Sequence, residues 1–155
     1  MRRRRAPKRD IRTDPKYDSP IVGNFVNIIM RDGKKSIAQK IIYDAFDIVS
    51  ERLKEDPIKA FFTALDNARP RMNVKPRRIG GATYQVPLEV TKEKGASIAI
   101  RWIKDSALKK KGKPMKIKLA EEIIAAFKGE GSVIKKREDT HKMAEANRAF
   151  AHFRY

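Results

Sequence analysis

The stretch MNVKPRRIGGATYQVPLEV, residues 72–90, breaks the helical rhythm of the chain around it. Tyr84, Val86, Leu88 and Val90 alternate with Gln85, Pro87 and Glu89, which is the period of two expected of a strand. Gly80-Gly81 supplies the pair of flexible residues that a tight hairpin turn needs. Pro76 and Pro87 each remove a ladder donor, which suits a two-stranded arm better than the interior of a larger sheet. The reading is a single β-hairpin at about 72–90, projecting from an otherwise helical chain.

On both sides of it, apolar residues recur at helical spacing. Ser19-Pro20 offers a cap and a preset first position for a helix through Val22, Phe25, Val26 and Ile29, which Asp32-Gly33 ends. A second helix from about Ser36 puts Ile37, Ile41, Ala45, Ile48 and Val49 on one stripe, with Lys40, Asp44, Asp47 and Arg52 off it. Asp56-Pro57 opens a third, with Phe61, Phe62, Leu65 and Ala68 as its apolar face and Pro70 as its stop. Beyond the hairpin, a fourth helix is expected from about Gly95 to Lys110, with Ile98, Ala99, Trp102, Ile103 and Ala107 inward. Pro114 starts a fifth through Leu119, Ala120, Ile123, Ile124 and Phe127, closed by Gly129 and Gly131, and a sixth begins near Ser132. The fold class is mainly α: one domain of about six helices over residues 13–155 with a protruding two-stranded hairpin, preceded by a basic arm over residues 1–12.

That arm carries Arg2, Arg3, Arg4, Arg5, Lys8, Arg9 and Arg12 against one acid, Asp10, so it is expected to be disordered on its own. The whole chain has 37 Lys and Arg against 19 Asp and Glu, a net charge of +18. Its 41% of hydrophobic residues argues against a wholly disordered polycation. The surplus charge points to a polyanionic partner, nucleic acid before membrane. No run approaches the roughly 18 apolar residues of a spanning helix. The Arg-rich start also lacks the apolar segment of a secretion signal. Without cysteine there can be no disulfide, thiolate metal site or cysteine nucleophile.

Enzymatic chemistry finds little footing. Gly33-Lys34-Lys35-Ser36 resembles the end of a phosphate-binding loop, but the first glycine of that motif falls on Ile28. His141 and Glu145 lie four apart on the sixth helix, yet two protein ligands do not make a zinc site, and His152 is eleven residues further on. Glu121-Glu122 diverge on a helix surface and read as a solvated face. Neither a cofactor nor a metal is expected.

Cations gather instead where loops and element ends fall. Residues 69–78 hold Arg69, Arg71, Lys75, Arg77 and Arg78 with no acid among them, and lead into the glycine turn, where backbone can approach a phosphate or base closely. Edge-strand protection by charge is the blander account of that cluster. Residues 104–118 hold Lys104, Lys109, Lys110, Lys111, Lys113, Lys116 and Lys118 against Asp105; such point charges suit phosphate without sequence preference, though a merely soluble loop would look similar. Lys135, Lys136, Arg137, Lys142 and Arg148 add a basic face on the last helix. Trp102 lies on an apolar stripe and reads as core, whereas Tyr84, Phe153 and Tyr155 are placed to stack on unpaired bases. A DNA-binding regulator is the competing reading, but the charge is spread over several elements and not focused on one recognition helix.

Three blocks in order, FVNIIMRDGKKS (25–36), RRIGGATYQVPLEV (77–90) and KKREDTHKMAEANRAFAHFRY (135–155), carry a family likeness. With them nearly the whole chain resembles the ribosomal protein S-seven family of the small ribosomal subunit. It departs from the family pattern at Arg2, in a lysine-heavier loop after the fourth helix, and at Phe153 and Tyr155, where Tyr and Trp are common.

The resemblance implies a non-enzymatic protein that binds the 3′ major domain of small-subunit ribosomal RNA and nucleates assembly of the subunit head. It implies RNA-facing roles for Lys34, Lys35, Arg77, Arg78, Arg101, Trp102 and the Lys135-Lys136-Arg137 block. The neighbouring Arg71, Lys75, His141 and Lys142 belong to the same expected surface. The hairpin tip, Gly80, Gly81, Ala82, Thr83 and Tyr84, together with Arg148, is expected near the exit-site transfer RNA and the messenger RNA path. Phe150, Phe153, Arg154 and Tyr155 are expected to contact neighbouring small-subunit proteins, S-eleven and S-nine among them. The implied location is the cytoplasmic ribosome, with an organellar one left open.

Overall fold

A computed structural model describes residues 13–154, the side chain of Arg154 excepted; the expected arm over residues 1–12 and Tyr155 lie outside the described residues. The elements run α1 (Pro20–Ile29), α2 (Lys35–Leu53), α3 (Pro57–Ala68), β1 (Met72–Ile79), β2 (Ala82–Glu89), α4 (Lys92–Lys109), α5 (Met115–Phe127), α6 (Ser132–Ala146) and a C-terminal 3-10 helix (Arg148–Arg154). The architecture is mainly helical with one antiparallel hairpin, as the periodicity indicates.

α5 is the central element, packed against α2, α3 and α4, while α1 covers α2 and α4. Phe61 is stacked on Phe25 with centroids 5.1 Å apart and meets Phe46 at 5.2 Å; all three rings are fully buried. Burying each such side chain contributes about 1.5–3 kcal/mol, so this aromatic cluster ties α1, α2 and α3 together. Asp56 caps α3 by accepting from the Ile58 N–H at 3.1 Å.

Two helices differ from the sequence reading. In α2 the buried line is Ala38, Ile42, Ala45, Phe46 and Val49. Ile41 and Ile48 sit at its margin, and Ile37, expected inside, is 55% exposed. Phe46 takes the core side against Phe61, and with about 100° of turn per residue that choice carries Ile37 outward. α4 starts at Lys92 rather than at Gly95. A Cβ at Gly95 would stand 2.6 Å from Arg69 Cγ and 3.2 Å from the Pro70 carbonyl oxygen, so the glycine allows α4 to cross the end of α3 closely; it is not a helix start.

The hairpin register runs from Met72↔Glu89 to Ile79↔Ala82, and Gly80 and Gly81 take φ of +57° and +89°, as the two-residue turn requires. One face rests on the chain's end. Val86 is fully buried, and the Tyr84 ring lies 5.2 Å from Phe150 and 5.3 Å from Phe153. Arg77 Nη1 donates to the Phe153 carbonyl at 3.1 Å. At the root, the Arg71 N–H donates to His141 Nε2 at 3.0 Å, joining the hairpin to α6.

Candidate nucleic-acid interface

The α1–α2 connection brings Arg31 and Lys34 beside Lys104 of α4 and Lys118 of α5. These four cations rim a groove of about 350 Å³ floored by Ile29, Ile37, Ala38, Ile41, Leu108 and Met115, with no acid in its lining. Ile37 and Leu108 are 55% and 41% exposed, two of only three large apolar side chains so exposed among the described residues. Such a floor inside a cationic rim matches an unpaired nucleotide, whose base prefers apolar contact and whose phosphates seek the rim. Sequence reasoning finds Lys34, Lys104 and Lys118 but misses Arg31, Leu108 and Met115, because four helices and the α1–α2 connection together build the groove. The available signal is Leu108, which falls off the inward stripe of α4.

The lysine-rich segment 104–118 divides into two kinds. Lys110 pairs with Glu122 at 2.8 Å and with Glu121 at 3.3 Å. Lys113 also closes on Glu121, and Lys116 pairs with Asp44 at 3.1 Å. Burial disfavours the Lys110 ammonium, but the bonds and charges of Glu122 and Glu121 outweigh it and hold its pKa above the usual lysine value. Lys113, ahead of Lys110, draws Glu121 below the usual carboxylate range. The expected solvated face of Glu121-Glu122 is therefore wrong: Glu122 is 4% exposed and also accepts from Ser132 Oγ at 3.2 Å. Its physical reason is that the lysines of the α4–α5 connection fold back onto the middle of α5. Lys109 and Lys111 remain exposed, with no ion pair among the described residues.

On the hairpin, Arg77 and Arg78 fall on opposite faces. Arg78 and Lys75 are exposed, as is the tip from Gly80 to Thr83, whereas Arg77 is half-buried against Phe153. Tyr84, Phe150 and Phe153 pack on one another, so their rings contribute to the brace of the hairpin.

On α6, Lys135, Lys136 and Lys142 are exposed. Lys136 Nζ lies 5.3 Å from the ring centroid of Trp102, which packs half-buried against the core beside exposed Arg101. Arg137 turns inward and donates to the Asn67 carbonyl, capping the end of α3. Arg148 is exposed and pairs with Glu145 at 3.3 Å. Lys35 is exposed at the start of α2. Among the described residues no group of three His, Asp or Glu side chains is placed to hold a metal ion, and no helix is long and apolar enough to cross a membrane.

A family model described as ribosomal protein S7p/S5e matches residues 1–148. A small ribosomal subunit protein uS7 of Thermotoga neapolitana is 58% identical over 155 residues, covering all of both chains. One from Fervidobacterium nodosum is 59% identical over the same span. Another, from Thermodesulfovibrio yellowstonii, is 54% identical over 99% of each chain. With end-to-end identity of this extent, the chain belongs to the ribosomal protein S7p/S5e family.

Proposed function

We propose that the chain is a primary RNA-binding protein of the small ribosomal subunit, which holds the 3′ major domain of the ribosomal RNA and nucleates assembly of the subunit head. As a member of its family it is a structural ribosomal protein and not an enzyme. The observation that carries the RNA reading is the groove in which Arg31, Lys34, Lys104 and Lys118, brought from three places in the chain, surround an exposed apolar floor. Lys35, Lys109, Lys111, Lys135, Lys136 and Lys142 are exposed as well and add cations outside the groove.

In this reading residues 1–12 are a basic arm that orders on RNA, and residues 13–155 are the domain it extends. The hairpin tip, with Arg78 and Thr83 exposed, faces the exit-site transfer RNA and the messenger path. The C-terminal end approaches the neighbouring small-subunit proteins S-eleven and S-nine, and the ribosome is the site of action.

The test is filter binding of the full chain to the isolated 3′ major-domain RNA, to random RNA of equal length and to duplex DNA across a salt series. Preference for the ribosomal fragment that persists at moderate salt is expected, with a log–log salt slope of about −0.7 to −0.9 per phosphate contact. Equal binding to all three nucleic acids would overturn the proposal.

A further inference from the structure

We propose that the cleft between the end of α3, the root of β1 and α6 is a second, separate site that seats one phosphate group among Arg69, Arg71 and Arg137. The cleft has a volume of about 300 Å³ and is lined by those three arginines, Asp66 and His141. It shares no lining residue with the apolar-floored groove. The proposal goes beyond general RNA affinity by naming a position and a ligand class: a tetrahedral oxyanion, either a phosphodiester of RNA or free phosphate.

Charge and preorganisation both support it. Asp66 is occupied by Arg69 at 3.2 Å, which leaves the Arg71 and Arg137 guanidiniums beside one another's field with no further acid lining the cleft. Arg71 has no ion pair among the described residues; the one ion pair of Arg137 there is with Glu138, at 3.6 Å and on the open side of α6, beside the bond of its other terminal nitrogen to the Asn67 carbonyl. Guanidiniums present paired N–H donors in a planar fork, the geometry that suits phosphate best.

Both are carried on fixed supports. Arg137 donates to the Asn67 carbonyl, while the Asn67 side chain donates to the carbonyls of Ala126 and Phe127 at 3.1 and 3.0 Å. Arg71 is held through its backbone, whose N–H bonds His141 Nε2 at 3.0 Å, so its side chain is free for a ligand. Arg137 is thus ordered in advance, and the Arg71 side chain is what the anion has left to order.

His141 supplies a built-in reporter. Its Nε2 accepts a hydrogen bond, so the ring is in the neutral form, and burial first, then the charges of Arg137 and Arg71, hold its pKa below the usual histidine value. On the cleft side it also faces Arg69 and Asp66; on the other side lie Glu89, Glu145 and Arg148. A phosphate between the arginines would offset their charge and let the imidazole titrate at higher pH.

The experiment follows the imidazole signals of the full chain by NMR across pH, in chloride, in inorganic phosphate, and with a short single-stranded RNA; His152→Gln assigns the two histidines. Inorganic phosphate is expected to raise the His141 midpoint while leaving that of His152 in place. Arg71→Ala, which keeps the backbone N–H and hence the fold, should abolish most of the rise. An RNA-induced rise of the same kind assigns the site to a phosphodiester; a rise with inorganic phosphate alone assigns it to the free ion. A His141 midpoint indifferent to phosphate, or one that moves equally in Arg71→Ala, would overturn the site. Selective binding to ribosomal RNA could still hold in that case, so the two proposals fail separately.

Discussion

The phenol of Tyr43 donates to Asp14, standing 2.8 and 3.0 Å from its two carboxylate oxygens, and so fastens the segment ahead of α1 to the middle of α2. Asp14 is 2% exposed and also accepts from the N–H groups of Lys16 and Tyr17, at 3.1 and 3.2 Å. Nothing in the residue pattern announces this pair, because the two positions are 29 residues apart and neither belongs to an apolar stripe.

Tyr43→Phe leaves that carboxylate short of a donor and is expected to cost about 1–3 kcal/mol in urea unfolding. Burial, then the bond to Asp14, pushes the Tyr43 pKa up to about 12. An unfolded tyrosine titrates near about 10. A raised folded value means that the stabilisation is complete below the unfolded pKa and is lost as pH climbs through the folded one. The stability gap between wild type and Tyr43→Phe should therefore narrow between about pH 10 and pH 12; a constant gap would refute the assignment.

Lysines of the α4–α5 connection should separate by assay. Lys110→Ala strands the 4%-exposed Glu122 and is expected to lower stability by about 1–3 kcal/mol. Lys111→Ala should stay within about 0.5 kcal/mol on folding. It should instead flatten the salt dependence of RNA binding by about 0.7–0.9 of a slope unit. Chemical denaturation and salt-titrated filter binding read the two effects, and reversed outcomes would show that the ion pairs were misassigned.

For the groove, Ile37→Asp is expected to leave the unfolding midpoint nearly unchanged, since the side chain is 55% exposed, and to weaken ribosomal RNA binding severalfold by placing an anion on the floor. Lys34→Ala should reduce the salt slope by about 0.7–0.9. Full RNA affinity in both variants would remove the groove from the interface.

Phe153→Ala removes a ring that meets Tyr84 at 5.3 Å and is stacked on Phe150 at 6.4 Å. Each aromatic pair is worth about 0.5–1.5 kcal/mol beyond burial. Amide exchange should accelerate in β1 and β2 while the α2 and α5 amides keep their protection. Uniform acceleration across the domain would mean that the hairpin and the helices open together.

The hairpin and helix order are legible because Gly80-Gly81, the two strand prolines and the apolar spacing all act locally. What escapes sequence reading depends on choices between elements. Ile37 is apolar and in a helical pattern, but only Phe46 meeting Phe61 decides which face of α2 turns inward. Glu122 looks like half of a surface acid pair until the α4–α5 connection lays Lys110 across it. Arg137 sits in a run of cations, yet the free carbonyl at the end of α3 draws it inside, while Lys135 and Lys136 remain exposed.

The brace of the hairpin also imposes an order in time. Arg77 depends on Phe153, which is synthesised 76 residues later, so during translation both strands are complete long before their support exists. A nascent chain stalled before residue 148 would carry all six α-helices and an unbraced hairpin. Such products can present the helical groove but not a fixed tip, so the tip is fixed only once residues 148–154 have been added.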